Sequence, residues 1–97
     1  MADKTITEHR RLAILKHLEA SSGFTSNASI LIDVVNGVGV STSEDQMRAA
    51  LAWLDEQELI EMVDHGHVVI AVATARGAEV ALGRANHPGV KRPSARR

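Results

Sequence analysis

The spacing of apolar and polar residues along the chain predicts helices first. Leu12, Leu15 and Leu18, with Ile14, recur at helical spacing, while His9, Arg10, Arg11 and Lys16 fall on the solvated side of the same turns. This predicts a first helix from about Thr7 to Ala20, opened by a capping box in Thr5-Ile6-Thr7-Glu8 and stopped by Ser21-Ser22-Gly23. Asn27 is a good N-cap for a second helix, whose apolar positions are Ile30, Leu31, Val34, Val35 and Val38. Their β-branched types also suit a strand, but Ile30, Val34 and Val35 stand at i, i+4 and i+5 with Asp33 and Asn36 opposite, which favours helix. Asn36-Gly37-Val38-Gly39 ends it and supplies a turn.

Ser43 and Gln46, three apart, cap a third helix whose inward stripe is Met47, Ala50, Leu51 and Leu54, with Trp53 half-buried at its edge. Two apolar strands follow, Leu59–Val63 and Val68–Ala73, joined by the tight turn Asp64-His65-Gly66-His67, where Gly66 takes a positive φ. Thr74-Ala75-Arg76-Gly77 opens a fourth helix that turns Ala78, Ala81, Leu82 and Ala85 inward. Pro88, Gly89 and Pro93 interrupt what remains. The expected organisation is a flexible N-terminus over 1–5, one domain over 6–86 and a disordered basic tail over 87–97.

Composition narrows the class. Ninety-seven residues make one domain at most, with a modest core. Aromatic residues are 2% of the chain, so that core must be aliphatic. The absence of Cys excludes disulfides and thiolate-bound zinc, and with no apolar leader the chain is expected in the cytoplasm of a bacterial host. No apolar run is long enough for a membrane span. The net charge of −1 conceals a division: residues 33–75 carry Arg48 alone against eight acids, whereas residues 76–97 carry six Lys/Arg against Glu79. Such a division matters to a charged partner even when the total is near zero.

The order helix, helix, turn, helix, strand, strand, helix resembles the winged-helix group of helix-turn-helix proteins. The residues that carry the resemblance are the Val38-Gly39-Val40-Ser41 turn, the helix Gln46-Met47-Arg48-Ala49-Ala50-Leu51-Ala52-Trp53-Leu54, the strand entry Leu59-Ile60, and Thr74-Ala75-Arg76-Gly77. Bacterial regulators of the ArsR and MarR type show similar strings. The strings TEHRRLAIL, DQMRAALAWL and HPGVKRP look like a small winged-helix protein carried by Mu-like phages and prophages. The resemblance implies an α+β winged helix-turn-helix: a three-helix core, a two-stranded β-hairpin wing and a C-terminal helix. It also implies double-stranded DNA as partner, and the function expected of the chain is DNA binding in transcriptional control of a phage or prophage. One residue departs from the pattern, because Glu58 stands where many winged helices place Gly just past the third helix. It must avoid the left-handed region or bear roughly 1 kcal/mol of strain.

In a helix-turn-helix the N-terminal residues of the second helix meet base edges. Here these include Thr42, Ser43, Gln46, Arg48 and Ala49, with Gln46 suited to adenine and Arg48 to guanine. Phosphate contacts would fall to Arg10 and Arg11 on the first helix and to Lys91 and Arg92 in the tail. The third helix is nevertheless acidic. Glu44 and Asp45 suit the positive end of its dipole by roughly 0.3–1 kcal/mol, and Asp55, Glu56 and Glu58 lie at its far end. The alternative is therefore a protein-binding winged helix, an adaptor for a basic phage or host protein in replication or packaging.

Other chemistry finds less support. Asp64, His65 and His67 invite a metal reading, but a site needs three or four ligands and turn-forming residues explain the string. No serine or histidine stands in a nucleophile–base pattern, and Gly37-Val38-Gly39 lacks the third glycine of a nucleotide loop. Neither enzymatic activity nor a cofactor is expected. A homodimer through the first and fourth helices is expected from the small-residue stripe Ala78, Ala81, Leu82 and Ala85.

Overall fold

A computed structural model of the protein describes residues 2–94, with side chains from Lys4 onward. Among these residues the chain is α+β, with four α-helices and a three-stranded antiparallel sheet. The order is α1 (Ala2–Ala20), β1 (Thr25–Asn27), α2 (Ala28–Gly37), α3 (Glu44–Glu56), β2 (Ile60–Asp64), β3 (Val69–Ala73) and α4 (Ala75–Ala81). Helix α1 packs against the other three helices and β3. Ile14, Leu15 and Leu18 of α1 meet Leu31 and Val35 of α2, Met47, Leu51 and Leu54 of α3, Leu59 just before β2, and Ile60, Val69 and Ala71 of the β2–β3 hairpin in one aliphatic core. Each fully buried Leu, Ile or Met in it contributes roughly 1.5–3 kcal/mol.

Three expectations need correction. First, α1 begins at Ala2, not Thr7, so residues 2–5 are helical rather than a flexible lead. The Thr5–Glu8 string lies inside the helix, and a backbone contact from the tail, Lys91 N–H to the Glu8 carbonyl, crosses it there. Second, a strand was not foreseen between the first two helices. Gly23 and Phe24, both at positive φ (66° and 55°), turn the chain out of α1. Thr25, Ser26 and Asn27 then pair with Val72, Ala71 and Ile70, placing β1 on the free edge of β3. Three residues are too few to show an alternating pattern. Asn27 serves both elements, since its side chain accepts the Ile30 N–H and caps α2.

Third, the tail does not run free. Residues 87–94 cross the body, with Val90 buried and Gly89 against Trp53. Arg96 and Arg97, counted with the basic tail, lie outside the described residues.

Helix α2 buries less than its sequence suggests. Leu31 and Val35 are fully covered, but Ile30 is 48% and Val38 64% exposed. The covered face of this ten-residue helix is a narrow i, i+4 stripe, and Val38 lies past its end. Helix α3 follows expectation: the Ser43–Gln46 capping box is made in both directions, and Met47, Ala50, Leu51 and Leu54 are buried. It ends in a Schellman pattern, with Glu58 N–H to the Asp55 carbonyl and Leu59 N–H to the Leu54 carbonyl. Glu58 takes φ 62°, so the left-handed position is kept without glycine.

Past β3, Thr74 caps α4 by accepting the Gly77 N–H and also donates to the Glu58 carbonyl, tying α4 to the end of α3. The alanine stripe expected to serve a homodimer is covered within the chain. Ala81 is buried, Ala78 and Ala85 are half-buried, and only Leu82 is exposed. No helix of the described residues is long and apolar enough to cross a membrane.

Candidate functional site

The three sides of α3 differ in chemistry. Its outermost stripe, at i, i+4, i+7 and i+11, is Asp45, Ala49, Ala52 and Glu56, all exposed. Acids stand at both ends and small residues between them, and no cation lies on the stripe. The flank toward the β2–β3 hairpin carries Glu44, Arg48 and Asp55. Arg48 Nη1 lies 3.5 Å from Asp64 Oδ2, an exposed pair, and Asp55 Oδ1 accepts the Met62 N–H at 3.1 Å. The hollow between this flank and the start of α2 adds Asp33 and His67. The flank toward α1 carries Gln46, Ala50 and Trp53.

The turn between α2 and α3 is fastened from two sides. Asn36 donates to the Thr42 carbonyl at 3.1 Å and accepts the Thr42 N–H at 2.9 Å. From α1, Arg10 donates through Nε to Thr42 Oγ1 and through Nη2 to the Ser41 carbonyl, both at 2.9 Å. Arg10 and Thr42 are only 6% and 7% exposed. Arg10 was expected on the solvated face of α1 and Thr42 at a base edge; both are instead parts of the turn's framework. Neither role shows in the sequence, where Arg10 and Thr42 stand far apart and both types are ordinarily exposed.

Arg11 is also committed. Its guanidinium lies 3.7 Å from the centroid of the Trp53 ring, and Nη1 donates to the Gly89 carbonyl at 2.9 Å. The His87 ring meets Trp53 edge-on at 5.6 Å and reaches Gln57 Oε1 at 3.0 Å. Burial holds the Arg11 pKa below its ordinary value; Glu8 opposes this and the like charge of Arg10 adds to it.

Of the other expected contact residues, Ser43 and Gln46 are occupied with each other in the cap, although the Gln46 amide nitrogen is left over. Ala49 is exposed. Lys91 Nζ donates to the Arg92 carbonyl, and Arg92 pairs with Asn86. The structure thus gathers Thr42, Ser43, Gln46, Arg10 and Arg11 around the junction of α1 with α3. It leaves Arg48 on the opposite flank and carries Lys91 to the outer side of α1 beside Glu8. His65 and His67 are exposed in the hairpin turn, which is held by His65 N–H to the Val68 carbonyl and Gly66 N–H to Asp64 Oδ1. Among the described residues no group of three or more His, Asp or Glu side chains is arranged to hold a metal.

No family model and no solved structure matches the chain. Two proteins do. A protein of Haemophilus influenzae is 36% identical over 69 residues, which cover 69% of this chain and 67% of that protein. The uncharacterized protein gp26 of Escherichia phage Mu is 38% identical over 96 residues, 99% of either chain. Similarity of that extent over the whole length shows that the chain belongs to the family of phage Mu gp26.

Proposed function

We propose that the chain is a winged-helix adaptor of Mu-like phages, with β2–β3 as the wing and α3 presenting a face for a basic protein partner. What supports the winged-helix reading is the succession of α1, β1, α2, a fastened turn, α3 and a hairpin paired with β1. The observation that carries the functional reading is the outer stripe of α3. A helix in the major groove presents its outermost residues to bases and is flanked by cations on phosphate. Here that stripe is Asp45, Ala49, Ala52 and Glu56, and the one arginine of α3 itself faces Asp64. Alanines permit close approach of a second helix, and the acids at either end suit lysine or arginine on it.

The test is a titration with an amphipathic Lys/Arg-rich helical peptide at low and high salt. The reading expects salt-sensitive binding that is lost when Asp45→Lys and Glu56→Lys are combined. Equal binding by that double variant overturns it.

The second reading, a DNA-binding regulator of phage transcription, is favoured by the exposed cations Lys4 and Arg92 and by Lys91, which is held beside α1. On that reading Arg48→Ala costs about 1–3 kcal/mol on a specific duplex and little on random sequence.

A further inference from the structure

The junction of α1 and α3 holds a groove of about 560 Å3 lined by Ile6, Thr7, Arg10, Arg11, Ser41, Gln46, Ala49 and Ala50. Among the described residues its polar side chains are donors, and no acid lines it. Arg10, 6% exposed, spends Nε and Nη2 on the turn, and its Nη1 has no partner among the described residues. Arg11 Nε is buried and unpartnered. The Gln46 amide is oriented by its cap: Oε1 accepts the Ser43 N–H, so its NH2 remains as a donor. Thr7 and Ser41 complete its polar lining. Glu8 lies in the adjoining hollow with Lys4, not in this groove.

We infer that this groove is an oxyanion site that takes a phosphate group between the two arginines of α1 and the Gln46 amide of α3. Both arginines line the groove, Arg10 with Nη1 unspent and Arg11 with its charge, and guanidinium N–H donors suit the geometry of a phosphate, whose hydrogen bonds to ionised donors are among the stronger ones available. An anion there also offsets the repulsion between Arg10 and Arg11 and the cost of burying Arg11, both of which lower the Arg11 pKa. The inference does not rest on the adaptor reading, because of the outer stripe of α3 the groove takes only Ala49 and neither acid.

Free phosphate and the phosphates of a nucleic acid share this chemistry, and the experiment separates them. Amide shifts of Ser41, Gln46 and Ala49 are followed by NMR during titration with inorganic phosphate at constant ionic strength, and separately with a short DNA duplex. Arg10 supports the turn, so its removal risks the fold. Gln46→Glu is the informative variant, because glutamate preserves the capping box while replacing the donor with a negative charge. The wild type is expected to show saturable shifts confined to the groove, and Gln46→Glu to remain folded with those shifts reduced at least tenfold in affinity. Saturation by inorganic phosphate marks a free-anion site; saturation by the duplex alone marks a nucleic-acid phosphate. Absence of saturable shifts with either ligand, or equal binding by Gln46→Glu, overturns the inference.

Discussion

Gly77 has no room for a side chain: a Cβ would stand 2.0 Å from the Leu59 carbonyl oxygen and 3.4 Å from Leu15 Cδ2. The obstacle is backbone, so α4 must move to relieve it. Gly77→Ala is expected to cost at least 1–3 kcal/mol, the usual range for overpacking, and to lower the urea midpoint with little change in slope. Glu58 makes the opposite case. It sits at φ 62° with an exposed side chain, where a residue bearing a Cβ costs roughly 1–2 kcal/mol. Glu58→Gly should therefore raise stability by about 1 kcal/mol in the same assay, and a loss would contradict the left-handed end of α3. The Glu58 question was legible in the sequence because one position past a helix has a strong residue preference. The roles of Arg10 and Thr42 were not, because a buried arginine is recognised only by partners brought to it across more than thirty residues.

At the scale of elements, α3 was the most legible. Its capping residues and its four inward positions all fit a single helical periodicity over about three turns, and they fix its phase without reference to the rest of the chain. Leu51→Ala and Leu54→Ala should each cost about 2–5 kcal/mol in chemical denaturation, as truncations of fully buried leucines do. A cost near zero for Leu51→Ala would place the helix in another phase.

Strand β1 and the tail were not legible, since both are ordered by what they lie against. The tail depends on Gly89, at φ 94°, where a Cβ would come within 2.8 Å of the Trp53 ring and 3.2 Å of Arg11. Proline and glycine looked like breakers of structure; here Gly89 permits close docking. Trp53 is the single tryptophan of the chain, so its fluorescence reports on this contact. Gly89→Ala should shift its emission to the red as the ring gains water, with the fold retained. An unchanged spectrum would show that residues 87–91 do not cover Trp53.

At the scale of the molecule, charge is sorted by face. The outer stripe and hairpin flank of α3 are acidic, whereas Arg10 and Arg11 line the junction of α1 with α3 and Lys91 lies beside α1. The sequence showed an acidic middle and a basic end, but not that folding would draw Arg10 and Arg11 inward and leave Arg48 opposite Asp64. The central claim is that α3 presents a protein-binding face and not a base-reading one. It is tested most directly by titrating short duplexes from a Mu-like phage genome into the wild type, Arg48→Ala and Asp45→Lys/Glu56→Lys at low salt. The account predicts that the wild type binds every duplex no more tightly than non-specific contacts allow, a Kd of about 10⁻⁴–10⁻⁶ M or weaker, with Arg48→Ala unchanged and the charge-reversed variant binding more tightly. A fragment bound at least about 10³-fold more tightly than the others, with that preference lost in Arg48→Ala, would contradict it.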